Sequence, residues 1–159
     1  MQDTNFNNTN NREYVSKVSV IIPVYNAEGY LDECLRSVLS QTLQELDIVC
    51  INDGSTDDSE AILYQYAVKD RRIRIVSQKN GGVAAARNRG IDMAAGQYIV
   101  FLDPDDYYPA PDVLQNLYTA AEVNGVAVSG GSFSKVSDGV VLTKFDGEEA
   151  QYTFHKDGL

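Results

Sequence analysis

Basic residues are scarce in this chain: 13 Lys and Arg stand against 23 Asp and Glu, a formal net charge of -10. That balance argues against nucleic acid and anionic membrane surfaces as partners, because both need a basic footprint. It leaves room for an anionic small ligand whose charge is met by a metal ion or by backbone donors. Long apolar runs are also missing. None approaches the roughly eighteen residues of a membrane span, so no span is expected. The opening residues, MQDTNFNNTNNREY, have neither a basic start nor an apolar segment, so no signal peptide is expected. Residues 1–16 are expected to form a disordered polar tail ahead of the fold.

Cysteine and histidine are equally sparse. Cys34 and Cys50 lie within apolar patterns and lack metal-like spacing. They read as small buried hydrophobes in a reducing compartment, which makes the cytosol, up to the inner face of the membrane, the expected location. The lone His155 is assigned no role. The chain has 159 residues, of which 43% are hydrophobic and 23% charged, an ordinary composition for one domain with a real core.

The pattern alternates strands and helices. Val18–Ile22 is β-branched and bounded by Pro23, and a helix from about Ala27 to Gln41 carries Leu31, Cys34, Leu35, Val38 and Leu39 at helical spacing. Leu46–Ile51 is a second strand. Ser55 or Thr56 is expected to cap the helix that follows, which runs to about Lys69. Ile73–Val76 is a third strand, followed by an Ala-rich helix ending at Gly96 as its C′ residue. Tyr98–Leu102 is a fourth strand, and Pro111 reads as the first residue of another helix. Val126–Ser129 is expected as a fifth strand, and Ser137-Asp-Gly139 as a hairpin turn. The alternation predicts an α/β fold: a mainly parallel sheet with helices on both faces.

Ligands of such sheets bind outside the carboxyl ends of the strands. The loops there read PVYNAEG, NDGSTDDS, SQKNGG and LDPDDYY, so four polar signatures fall on one rim. Asp103, Asp105 and Asp106 have the oxygen ligands that a hard divalent cation prefers, although a solvated turn gives the same pattern. Asp53 stands where a carboxylate would accept a uracil imide proton or a ribose hydroxyl, and also where an Asx-turn would cap the next helix. Tyr25 offers a ring to a base, or simple packing. Asn80-Gly-Gly82 opens the third helix, whose free N–H groups favour an anion. Arg87, one turn further in, reads either as a surface charge or as a group that reaches the rim. Lys69–Arg74 reads as a solvated basic face.

In order, VSVIIPVYNAEGYLDECLRSVLSQT, DIVCINDGSTDDS and NGGVAAARNRGIDMAAGQYIVFLDPDD resemble glycosyltransferase family 2, inverting enzymes of the GT-A fold. The resemblance runs from about Lys17 to Tyr108. It implies transfer of a sugar from a UDP-sugar to the hydroxyl of a glycan or lipid-linked acceptor, assisted by manganese or magnesium, and polysaccharide assembly as the setting. It places Pro23, Val24, Tyr25 and Glu28 around the base, with Asp53 facing the uracil. Gly82, Arg87 and Asn88 lie beside the nucleotide, Asp103 approaches the ribose, and Asp105 meets the metal.

The family's catalytic base belongs to a later acidic motif, and the chain reaches Leu159 before one is found. Glu148 and Glu149 fall too early to be promoted. Residues 17–159 are therefore expected to be a nucleotide-sugar-binding GT-A domain lacking the acceptor and base portion, which a longer chain or a partner domain would supply. The alternative is a module that binds nucleotide sugar and metal without transferring anything. A phosphoacceptor signalling domain would need carboxylates after the first strand, where Pro23-Val-Tyr25 stands. A dehydrogenase would need Gly-x-Gly-x-x-Gly there. A nucleotidyltransferase would want a Gly-rich basic loop at the same place. None is present.

Overall fold

A computed structural model describes residues 15–137 and 140–145. Residues 1–14, most of the expected tail, lie outside it, as do Asp138, Gly139, Glu148, Glu149 and His155. Ser16 already belongs to the fold, since its carbonyl accepts the Gln97 N–H.

Two strands make the centre. β1 (Val18–Val24) and β2 (Leu46–Asn52) are buried at every position, as continuous apolar runs require when both faces of a parallel sheet are covered. β3 (Ile73–Ser77) and β4 (Tyr98–Phe101) flank them in the order β3-β2-β1-β4, all parallel. Alternate side chains sort to the two faces. On one, Val20, Ile22, Ile48 and Cys50 meet Leu31, Cys34, Leu35 and Val38 of α1 (Leu31–Leu39), Leu63 of α2 (Ser59–Ala67) and Leu114 of α4 (Val113–Asn124). On the other, Ile21, Val49 and Ile51 meet Ala86 of α3 (Val83–Met93). Cys34 and Cys50 are free and buried, as expected.

Several boundaries differ from the sequence reading, each for a local reason. Pro23 does not end β1, which continues to Val24. Ile21, two residues earlier and so facing the same neighbour, accepts Leu102 N–H just as β4 leaves the sheet. The β1–β4 pairing ends at Ile21, so the N–H that Pro23 lacks is not needed for a ladder bond on that side. α1 starts at Leu31 because residues 26–30 form a turn tied to another loop, and it stops at Leu39. Asp58, rather than Ser55 or Thr56, stands at the N-cap of α2, which ends at Ala67. α3 ends at Met93, and Gly96 is no C′ residue. It lies so close to β1 that a Cβ there would come within 2.4 Å of the Ser19 nitrogen. Pro111 precedes its helix by two residues, and its carbonyl accepts Thr42 N–H.

Val126–Ser129 forms no strand. Gly125 ends α4 in the left-handed conformation, Val126 N–H returns to the Ala121 carbonyl, and Ser129 Oγ donates to the Leu117 carbonyl. The segment is folded back on α4 and has no sheet partner. The next strands are β5 (Phe133–Ser137) and β6 (Val140–Phe145), an antiparallel pair meeting at Ser137 and Val140. The two residues that join them, the expected turn, lie outside the described residues.

The end of the sheet away from the rim is locked by Asp47. Its carboxylate accepts Arg74 Nε at 2.7 Å, Ser19 Oγ at 2.8 Å and Ala95 N–H at 3.0 Å. Burial pushes its pKa up, but Arg74, Ala95 and Ser19 outweigh that and hold it below the ordinary carboxylate range. A depressed carboxylate contributes stability that is fully present above its unfolded pKa of about 3.9 and is lost as pH falls through the lower folded value. Asp47→Asn should therefore destabilise the fold by about 2 kcal/mol at neutral pH. In thermal melts the gap to the unsubstituted chain should close as pH drops below about 4.

Candidate active site

Four loops meet at the carboxyl ends of β1 to β4. The first two are zipped together. Asn26 follows Tyr25 with a φ of 48°, a left-handed conformation that Asn tolerates better than most residues. Its Oδ1 accepts Thr56 N–H at 2.8 Å, while its own N–H donates to Ser55 Oγ at 3.2 Å. Ala27 N–H donates to Ser59 Oγ at 2.9 Å, and Glu28 N–H to Asp57 Oδ2 at 3.0 Å. Glu28 returns the bond, its carboxylate accepting Asp58 N–H at 2.9 Å. The sequence reading placed Glu28 beside a base; here its side chain is engaged in holding two loops in register. Tyr25 stands just before this zipper with half its surface exposed (51%), its ring open to a ligand.

Asp53 joins the second loop to the third. It is only 2% exposed, and its carboxylate accepts Gln78 Nε2 at 2.8 Å, Gly81 N–H at 2.9 Å and Gly82 N–H at 2.8 Å. Gly54, at a φ of +74°, lets the chain turn against this loop; a Cβ there would lie 2.9 Å from the Asn80 nitrogen. Asp53 thus takes the two amides just before α3, while those of its first turn, Val83, Ala84 and Ala85, bond no described residue and stay exposed, as a helix start that favours an anion requires.

The fourth loop carries the acids. Arg87 donates through Nη2 to Asp103 Oδ1 at 2.6 Å and lies over the Phe101 ring, 5.7 Å from its centroid. Its Nε is buried and has no hydrogen-bond partner. Asp106 N–H donates to the Asp103 carbonyl at 2.9 Å, which turns the loop outward and leaves Asp105 and Asp106 exposed. Burial, then the charges of Asp105 and Asp103, raise the Asp106 pKa above its ordinary value. Beneath them the Cys34 thiol, 3.8 Å from the Asp103 carbonyl, is pushed up to about 12 by burial and by the same acids. The loop thus presents a concentrated negative potential to solvent. Among the described residues no three His, Cys, Asp or Glu side chains cluster tightly enough to hold a metal ion by themselves.

The structure thus brings the singled-out residues other than Asn88 to one rim. Pro23 and Val24 end β1, Tyr25 and Glu28 follow it, and Asp53 and Gly82 are bonded to each other. Arg87 and Asp103 form an ion pair, Asp105 is exposed beside them, and Asn88 is exposed on α3. Sequence reasoning missed Asn26 and Gln78. Asn directly after a strand-end Tyr hints at a left-handed turn, whereas nothing in the string marks Gln78 as the partner of Asp53.

A parallel sheet of this order, covered by helices on both faces, is the architecture of GT-A glycosyltransferases. The chain belongs to glycosyl transferase family 2, whose family model matches residues 19–157. It is 45% identical over 120 residues to the glycosyltransferase EpsJ of Bacillus subtilis and 44% identical over 102 residues to the glycosyltransferase GlyA of Streptococcus pneumoniae. These matches take in 76% and 64% of this chain but only 35% and 14% of those proteins, so the chain spans about a third of their length or less. Among solved structures, TarS of S. aureus in complex with UDP is similar at a TM-score of 0.61 and 32% identity. That match covers 69% of this chain and 32% of that one. The mannosyltransferase PcManGT of Pyrobaculum calidifontis, bound to GDP-Man and Mn2+, is similar at 0.65 and 27% identity, covering 78% of this chain and 36% of that one.

Because Asp53 ties β2 to the start of α3, Asp53→Asn should loosen that join. An amide has one acceptor oxygen and would set its own N–H groups against donors that now point at a carboxylate. A loss of about 2 kcal/mol in denaturant unfolding is expected, with faster hydrogen exchange at Gly81 and Gly82.

Proposed function

We propose that this rim is the donor site of an inverting transferase that takes a UDP-sugar and passes the sugar to an acceptor hydroxyl. The observation that carries the reading is the meeting of Tyr25, Asp53 and the Asp103–Asp106 loop on one edge of a parallel sheet. An exposed ring beside a polar floor suits a pyrimidine base, with Pro23, Val24 and Glu28 around it. Gly82, Arg87 and Asn88 border the nucleotide, and Asp103 lies toward the ribose. The similarity to TarS, solved with UDP and with UDP-GlcNAc, supports uridine as the base.

In the displacement, a lone pair of the acceptor oxygen attacks the anomeric carbon from the side opposite the diphosphate. The bond from that carbon to the diphosphate oxygen breaks, UDP leaves with its electrons, and the acceptor proton passes to a base. No described residue is assigned as that base.

The donor set of the acidic loop fits a divalent cation shared with the substrate. Asp105 is exposed and already crowded by neighbouring negative charge, and magnesium or manganese held by one or two carboxylates completes its shell with phosphate oxygens and water. When bound, the ion supplies positive charge against the leaving diphosphate. Asp53 holds the Gly81 and Gly82 N–H, so at the start of α3 the amides open to a phosphate are those of Val83, Ala84 and Ala85. The Mn2+ in PcManGT agrees with this reading.

Calorimetry with manganese should show UDP binding, and UDP more tightly held than CDP. Asp105→Asn keeps size and loop geometry, and it should lower manganese-dependent UDP affinity by at least about 1 kcal/mol, the scale of one charge-assisted contact. Undiminished manganese dependence in that variant would remove Asp105 as the ligand.

A further inference from the structure

We infer that Gln41 is a positioning residue for the acidic loop, a buried amide that fixes the far end of that loop and so the place at which Asp105 meets the ion. The inference rests on the donor-site reading above and concerns what holds the acids in position. Gln41 lies just past α1 and is 1% exposed. Its Nε2 donates to the Ser37 carbonyl at 3.1 Å, in the last turn of α1, and to the Ala110 carbonyl at 2.8 Å. Its Oε1 accepts Leu114 N–H at 3.0 Å, in the first turn of α4. Asp112, the N-cap of α4, makes no side-chain cap bond, so a side chain from the end of another helix caps α4 in its place. Two donors and an acceptor are needed on one side chain here, and only an amide has them. A carboxylate would face two carbonyls, and an ammonium would face an N–H.

The segment after β4 is thereby strapped along α1 at both ends. At the near end Arg87 holds the Asp103 carboxylate, and the Cys34 thiol lies against the Asp103 carbonyl. At the far end Tyr108 N–H donates to Ser37 Oγ at 3.1 Å, Gln41 holds Ala110, and the Pro111 carbonyl accepts Thr42 N–H at 2.6 Å. Between the two anchorages lie Pro104 to Tyr107, with Asp105 and Asp106 among them. A short span tied at both ends has few conformations. Its carboxylates are kept close although their charges repel, so an ion has little ordering of the loop to do when it binds. Without the far anchorage the acids drift apart, and an ion must gather them again. Pro23, Tyr25 and Asp53 stand on other loops and are untouched by that change. The loss therefore falls on the ion and not on the nucleotide.

The test is UDP binding by calorimetry, with and without manganese, in the unsubstituted chain, in Gln41→Met and in Asp47→Asn. Gln41→Met keeps the length of the side chain and removes its donors and its acceptor. Asp47→Asn loosens the fold at the end of the sheet away from the rim, and so separates position from stability. The gain in UDP affinity that manganese brings should fall about tenfold in Gln41→Met, while UDP without metal binds within about twofold of the unsubstituted chain. Asp47→Asn should keep the full gain. An undiminished gain in Gln41→Met overturns the inference. So does an equal loss of the gain in both variants, or a loss of UDP binding with and without metal alike, since either makes Gln41 a structural prop alone. Should Gln41→Met melt below the assay temperature, Ser37→Ala, which removes the Tyr108 bond of the same anchorage, must lower the gain at least about threefold or the inference falls. If the unsubstituted chain binds no UDP, or gains nothing from manganese, the donor-site reading fails first and takes this inference with it. If it gains and Gln41→Met gains as much, the inference fails alone.

Discussion

The carboxylate of Asp53 is the constraint on which the rim depends. It is the first residue after β2, and it reaches across to the loop after β3 to take two main-chain N–H groups and one side-chain amide. Its position is dictated from below, because Asp53 N–H bonds the Val24 carbonyl and so extends the β1–β2 pairing by one residue. The start of α3 is thus registered against the two central strands. α3 in turn carries Arg87, five residues along from Gly82, and Arg87 meets Asp103 on the fourth loop. A chain of contacts runs from the sheet core to the acidic loop, with each link set by the one before.

The internal anion at the head of α3 also explains the division of labour along the rim. A helix start usually offers its first amides to a phosphate. Here two amides at that end are already satisfied, and the acids stand one loop away with only Arg87 for company. On the proposed reading, the charge of a diphosphate would be met by an ion recruited to the acids together with the first-turn amides that Asp53 leaves free. Cys34 fits the same picture: burial and the acids above it keep the thiol protonated, so it serves as packing beneath the loop.

The sheet and its core were legible because β1 and β2 are unbroken apolar runs and because α1 repeats Leu31, Cys34, Leu35 and Val38 at helical spacing. The rim was legible as a place, since four polar loops follow four strands. Helix ends were read less well. Gly96 and Pro111 look like helix punctuation in the string, yet one is a site of close backbone approach to Ser19 and the other an acceptor for Thr42. Ser55 and Thr56 look like caps, but Asn26, thirty residues earlier, holds them instead. Val126–Ser129 has strand-forming residues and no strand to pair with. In each case a partner distant in sequence decides the outcome, and short-range pattern carries no trace of it. Gln78 is the extreme example.

The crowding of acids on the fourth loop has a kinetic side as well. The nucleotide diphosphate proposed as its ligand is an anion, and would approach a chain of net charge -10 through the edge that carries the acidic loop. The long-range field therefore slows encounter instead of guiding it, and dissolved salt, which shortens that field to about 10 Å at 0.1 M, relieves the repulsion. A ligand escorted by its own divalent ion arrives with much of its charge cancelled. On that proposed reading the order of arrival is biased: ion and nucleotide would reach the rim more readily together than the nucleotide alone.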